Sequence, residues 1–417
     1  MELLTDIPRA CTPADVERLR RVQGEYAALI ESHGPGLLSL DDLLSPVGFR
    51  FGEASADIKP HPAEHSVAAE VESWMRASGL WLSTTPHIVR ACSWVYPTAS
   101  RAALTQQSKV VSLDWYLNDT QGRDLAGVHA QGEPQLSAAV VAMCDNLDAV
   151  PNREGVQEGA VRHLLREMRA DSPQPWFACF LSRFRDQVQL THQDLGIPAA
   201  GVVPSMFGYI QQRILTSGMV YMTSLLEFGL DTYLSDLYRD PDNLVSALDR
   251  LLFLTAAIPS LGNDVVSFEK EVIDLGSSNN LITVLALNRP GTSLLDAITA
   301  SGYIVADMIQ EFVTLSSHVA CLAEDLRPRD EHRACALLRY LGGLDAMMKS
   351  QWNFHAVSLR YRYPKSLWRE MAVDEAVTTR HAEAALQLTR HDRQSDSRGT
   401  PRPGFDAAER PYDMVRD

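Results

Sequence analysis

Three polar residues recur every fourth position in the stretch LGNDVVSFEKE (261–271): Asn263, Ser267 and Glu271. An α-helix turns about 100° per residue, so the three fall within an arc of about 80° and point one way along two turns. An amide oxygen, a hydroxyl and a carboxylate form an all-oxygen set, which suits Mg2+ or Mn2+ and not zinc. Lys270, beside Glu271, is placed to meet an anion that such a cation would attract. The stripe lies between two apolar runs, LLFLTAAIPS (251–260) and LITVLALN (281–288). Polar groups buried without partners cost a few kcal/mol each, so its presence there needs a reason.

The pattern Asn263-Asp264-x-x-Ser267-x-x-Lys270-Glu271 resembles the second metal motif of class I terpene synthases, N-D-x-x-S-x-x-K-E, and NNLITVLALNRPG is similar to the segment just after that motif in microbial members. The resemblance implies that Asn263, Ser267 and Glu271 bind one of three Mg2+ ions (Mn2+ being the other candidate) and that Lys270 contacts a substrate diphosphate. Other segments occur in the family's order. YIQQRILTSG (209–218) resembles the diphosphate-sensing segment, with Arg213 as the candidate and Gly218 at the adjoining helix break. The rigid guanidinium fork suits phosphate oxygens. WNFHAVSLRYRYP (352–364) resembles the late R-Y pair, which makes Arg360 and Tyr361 diphosphate donors. Arg362-Tyr363 is the competing register, and Ser358-x-Arg360-Tyr361 fits the pattern better. KPHPAEHSVAAEVESWMRASGL (59–80) and RACSWVYPTAS (90–100) look like the helix and the YP segment that precede the first metal motif.

That first motif departs from the family, whose pattern is an Asp pair followed by an acid. The region reads SLDWYLNDTQGRD (112–124). If Asn118-Asp119 stand for the Asp pair, an amide replaces the leading acid and gives less to a hard dication. A second register leads with Asp114, one turn before Asn118, so that both can face one cavity. In the joint reading Asp114 and Asp119 supply the charge, Asn118 is a helper ligand and Asp124 is the extra acid. Trp115, Tyr116, Phe207, Phe228, Trp352 and Phe354 are candidates for an aromatic wall able to stabilise positive charge, with plain core packing as their alternative use.

Elements that could position these groups are helical. PADVERLRRVQGEYAALIESHG spaces Val16, Leu19, Val22, Tyr26 and Leu29 at three- and four-residue steps and stops at Gly34-Pro35; SVAAEVESWMRASGL does the same through Val67, Val71 and Trp74, ending at Gly79. Comparable patterns run through 101–120, 135–149, 155–169, 176–192, 206–229, 243–258, 262–274, 294–325 and 332–360, with turn signals between them. Strand-like alternation is almost absent. The expected fold is all-α: one helical bundle domain over 55–372, of the class I terpenoid synthase type by resemblance. An N-terminal extension (1–54) precedes it. A tail (373–417) comes after it, in which RQSDSRGTPRPGFDAAERPYD predicts disorder.

With 417 residues and a formal net charge of −15, the chain is acidic, which argues against nucleic acid or an anionic membrane surface as the main partner. Its six cysteines show no C-x-x-C pair or zinc spacing, as expected of thiols in a reducing cytoplasm. No basic, apolar leader opens the sequence, and no stretch reads as approaching the roughly 18 apolar residues of a membrane span. The function the resemblance implies is a terpene cyclase that ionises a linear isoprenyl diphosphate, farnesyl or geranylgeranyl favoured, and releases pyrophosphate. Homodimers are common in that family, so a second copy is the partner it suggests. A prenyl diphosphate synthase would carry two D-D-x-x-D motifs, and the chain has none. A cyclase-derived protein that binds diphosphates without turnover is the alternative that Asn118 raises. H-E-x-x-H and G-x-S-x-G do not occur.

Overall fold

The computed structural model describes residues 7–44, 59–82, 84–121, 136–193, 196–237, 244–357, 361–362 and 365–372. Asp124, Arg360, Tyr363 and the expected tail lie outside the described residues, and of Asp119 only the backbone is described.

The chain forms α1 (Pro13–His33), α2 (Leu40–Leu44), α3 (Glu64–Ser78), α4 (Thr85–Val95), α5 (Arg101–Gln121), α6 (Leu136–Asp145), α7 (Val156–Ala170) and α8 (Gln174–Gln193). Then come α9 (Ile197–Ala200), α10 (Met206–Thr216), α11 (Met219–Leu230), α12 (Leu234–Leu237), α13 (Leu244–Val266), a π-helix (Glu269–Asp274), α14 (Leu281–Asn288), α15 (Leu294–Leu326) and α16 (Glu331–Val357). Two two-residue strands, Arg9–Ala10 and Val202–Val203, pair antiparallel. The all-α expectation holds.

Local chemistry sets the helix ends. Thr12 caps α1 in a box with Asp15, Pro13 opens the helix, and Gly34 at φ 77° closes it. Gly79 closes α3 in the left-handed conformation. The periodic face of α1 turns inward, with Val22 buried and Val16, Leu19, Tyr26 and Leu29 half-buried. That face packs on α14, α15 and the π-helix. Arg9, just before α1, donates to the Leu287 carbonyl and Arg18 of α1 to that of Thr292, so the N-terminal segment is tied to the bundle by part-buried polar contacts as well.

Helix α13 is the hub, packed against α10, α11, α14, α15 and α16. It merges the two expected segments 243–258 and 262–274 into one helix that runs on through the π-helix. Conversely, the expected 206–229 helix is broken at Ser217–Gly218 into α10 and α11. By length and composition α13 could cross a bilayer, contrary to the sequence expectation. It is the one such helix among the described residues. Its apolar faces are covered by protein: Leu248, Leu251, Leu254, Ala257, Ile258 and Leu261 are essentially inaccessible.

Candidate metal and diphosphate site

The Asn–Ser–Glu stripe sits where α13 passes into the π-helix. Ser267 N donates to Asn263 O at 2.7 Å and Glu271 N to Ser267 O at 2.8 Å, so each residue stands one α-turn above the last. Widening begins at once, with Leu275 N on Lys270 O. Ser267 is fully buried, while Asn263, Lys270 and Glu271 are half-buried; Asp264, Val265, Val266, Phe268 and Glu269 around them are closed off. The stripe is therefore partly accessible at its two ends, Asn263 and Glu271, and closed off at Ser267 between them.

Asn263 is held from three sides. Its Oδ1 accepts from Arg213 Nη2 at 2.9 Å, and its Nδ2 donates to Tyr361 Oη and to His355 Nε2, each at 3.1 Å. The Arg213 donor fixes which end of the amide is oxygen, so His355 accepts at Nε2 and carries its proton on Nδ1. Burial, helped by the Arg213 cation, pushes the His355 pKa down to about 3 and keeps the ring neutral.

Arg213, 17% exposed, also donates from Nε to Asp264 Oδ1 at 2.6 Å. Asp264 is fully buried and further accepts from Tyr209 Oη at 2.5 Å and Leu281 N at 2.9 Å, which ties α10 and the start of α14 to α13. Burial works against the guanidinium charge, but Asp264 and the neighbouring anionic groups outweigh it and hold the Arg213 pKa above its ordinary value. Burial raises the Glu271 carboxyl, against the pull of Arg213 and Lys270.

These residues fit a hard divalent cation. The donors are all oxygens. The Ser267 hydroxyl is buried without a close hydrogen-bond partner among the described residues, and the group it acts on is the Glu271 carboxyl. The Asn263 oxygen already faces a positive charge, the Arg213 guanidinium.

In the first motif, Asp114 is half-buried and accepts from Tyr221 Oη at 2.9 Å, while Asn118 is exposed. Asp114 lies against the break between α10 and α11. Gly218, at φ 79°, would place a Cβ 3.0 Å from the Tyr221 ring and 3.3 Å from Asp114 Oδ2, so only glycine allows this approach. Gln187 braces the break by accepting from Gly218 N, and Ser260 of α13 donates to Ser217.

Aromatic rings join the two motifs. Phe354 meets Trp115 edge-on with centroids 6.2 Å apart, and meets Tyr361 in the same way at 6.2 Å. Trp352 is buried with its ring on Gly262, one residue before Asn263. Tyr116 instead accepts a hydrogen bond from Gln157 of α7, and Phe228 stacks on Trp176. The expectation for Phe207 fails: it is 55% exposed, because the face of α10 that carries Tyr209 and Arg213 turns it outward. Arg362 donates to the Glu370 carbonyl, and Tyr361 is the described tyrosine at Asn263.

A family model described as "Terpene synthase family 2, C-terminal metal binding" matches residues 123–326, which include Arg213 and the whole Asn–Ser–Glu stripe. The chain is 24% identical over 271 residues to (2Z,6E)-hedycaryol synthase of Kitasatospora setae, covering 64% of this chain and 77% of that protein. In sequence and in fold the chain is thus similar to class I terpene synthases. Germacrene A synthase of Nostoc punctiforme is 25% identical, over 49% of this chain and 61% of its own length. In fold, the chain matches a linalool/nerolidol synthase from Streptomyces clavuligerus with a TM-score of 0.58 at 19% identity, over 71% of this chain and all of that one. An a-eudesmol synthase gives 0.58 at 16% identity, over 72% and 96%. The family's C-terminal metal-binding domain implies dependence on a divalent metal.

Four residues of this candidate site escape a reading of the sequence. Tyr209 stands one helical turn before Arg213, a spacing that could have flagged it. Asp264 lies inside the motif, at a position the metal pattern leaves without a role. His355 and Tyr221 have no pattern to mark them, since their roles come from packing between helices far apart in sequence.

Proposed function

We propose that this chain binds a linear isoprenyl diphosphate, farnesyl or geranylgeranyl, together with three Mg2+ ions, and cyclises it with release of pyrophosphate. The observation that supports the reading is the convergence of Arg213 and Tyr361 on Asn263: the two side chains that the resemblance makes diphosphate donors both hydrogen-bond the one it makes a metal ligand. A protein of the same fold has been crystallised with 2-fluorogeranyl diphosphate, which supports the substrate class.

Asn263, Ser267 and Glu271 would hold one ion, and Asp114 with Asn118 and Asp119 the others. When bound, the ions supply Lewis-acid charge that favours loss of the diphosphate. Arg213, Lys270, Arg360 and Tyr361 donate to the departing group and hold it as negative charge builds. Trp115 and Phe354, half-buried between the two motifs, offer ring faces and edges to the allylic cation and keep water from it. Asp114 takes the leading place in the first motif because it faces the helix break, whereas Asn118 faces solvent. Six free cysteines support a reducing, cytoplasmic setting.

The test is pyrophosphate release from farnesyl and geranylgeranyl diphosphate with Mg2+. Release should vanish with EDTA and fall on the order of a hundredfold in Asn263→Ala. Tight magnesium pyrophosphate binding without release would instead favour a diphosphate-binding protein without turnover.

A further inference from the structure

Glu269 lies two positions past Ser267 and two before Glu271, so it points away from the metal-facing line. It is 1% exposed, yet it is a carboxylate. Three neutral donors from two distant segments satisfy it: Tyr26 Oη of α1 at 2.8 Å, Ser366 Oγ at 2.7 Å and Leu367 N at 2.7 Å. Enclosing a carboxylate is costly unless it is met this well.

The segment it grips is the continuation of Tyr361. Only five residues after Tyr361 touches Asn263 from the front of the motif, Ser366 and Leu367 bind Glu269 from behind. The same segment is stitched to the N-terminal part of the chain. Gly36 N donates to Ser366 O and Leu38 N to Leu367 O, both at 2.8 Å, and Arg369 N returns to Leu38 O at 2.8 Å. The Glu370 carboxylate accepts from Ser39 Oγ and Leu40 N at the start of α2.

Resting on the diphosphate-binding reading above, we infer that Glu269 is a positioning residue: through Ser366 and Leu367 it fixes Tyr361 against Asn263, and residues 26–41 are part of that brace. The N-terminal segment thereby contributes to diphosphate capture without touching the ligand. A carboxylate is needed there because one side chain must accept from three donors on two segments. An apolar residue of that size would leave the Ser366 and Leu367 donors buried and unmet, and Tyr26 Oη with the Lys365 carbonyl alone, 3.1 Å away.

The test is a double-mutant cycle on magnesium pyrophosphate binding, followed by calorimetry, far below the melting temperature. Glu269→Gln and Ser366→Ala should each weaken binding on the order of tenfold, in the range set by residues that orient metal ligands. Added to Tyr361→Phe, neither should weaken it further, because both act through Tyr361. Tyr26→Phe, the mildest variant, should give a smaller loss that also vanishes in the Tyr361→Phe background. Losses that add in full, or variants that melt earlier with unchanged affinity, would overturn the inference and leave Glu269 a structural carboxylate. A wild-type chain that does not bind magnesium pyrophosphate would sink the diphosphate reading itself, and this inference with it.

Discussion

Arg213 and Asn263 face each other with 2.9 Å between guanidinium nitrogen and amide oxygen. That oxygen is the atom a metal would require, so the cation now opposite it must give way or share when substrate and metal arrive. The same guanidinium is the charge partner of fully buried Asp264. One side chain thus bonds both the proposed metal ligand and the buried acid beside it.

Removing Arg213 should therefore destabilise the fold as well as silence the site. Arg213→Met leaves Asp264 as a buried anion without its cation, a change worth about 3 kcal/mol or more. Adding Asp264→Asn should return part of that loss, since the uncompensated charge is gone. Urea denaturation of the two variants decides the matter. Equal stability of single and double variants would mean that the Arg213–Asp264 pair contributes little.

Gly262→Ala should be costly although alanine favours helices. A Cβ there stands 2.9 Å from the Trp352 ring, which is 2% exposed and has little room to retreat. Overpacking of this kind costs about 1–3 kcal/mol. Because Asn263 is the next residue, a shift of α13 should also raise the Mg2+ concentration needed for turnover. A variant with the parent's melting temperature would show that the indole moves freely.

Stability should carry a pH signature at Glu227. This α11 carboxyl is 5% exposed and accepts from Leu234 N at 2.9 Å. Burial pushes its pKa up to about 7, against the pull of Leu234 N and the Arg183 cation. An unfolded chain loses that proton near pH 4.5 while the folded chain keeps it. Stability therefore falls as pH rises between about 4.5 and 7, by at most about 3 kcal/mol. Glu227→Gln removes this slope, so its stability relative to the parent should grow from pH 4.5 to pH 8. A constant difference across that range contradicts the assignment.

The first metal motif gives two opposite expectations. Asp114→Asn should raise the half-saturating Mg2+ concentration on the order of tenfold, since an amide replaces the acid at the helix break. Asn118→Asp should lower it, because a carboxylate binds a hard dication better than an amide. Mg2+ titrations of pyrophosphate release test both. An inert Asp114→Asn together with an Asn118→Asp gain would move the lead of the motif to position 118.

Much of this arrangement was legible in the sequence, for physical reasons. The i, i+4, i+8 stripe is a local property of a helix, so Asn263, Ser267 and Glu271 could be aligned before any tertiary contact was known. Apolar periodicity bounded by Gly34 and Gly79 placed the ends of α1 and α3. Side-chain direction between helices was not legible. Phe207 and Tyr209 are two positions apart on α10, and only packing against α13 decides that one turns out and the other in. Nor did local pattern distinguish the N-terminal segment from an appendage, because its ties to Leu287, Thr292 and Glu269 run to residues more than 240 positions away.

Cyclisation itself is read by incubating the purified chain with Mg2+ and, separately, geranyl, farnesyl and geranylgeranyl diphosphate, and passing the organic extracts to gas chromatography–mass spectrometry. A cyclic hydrocarbon or alcohol is expected from farnesyl or geranylgeranyl diphosphate, absent with EDTA and in Asn263→Ala. Linear alcohols alone, or no product from folded protein with any of the three, would contradict it.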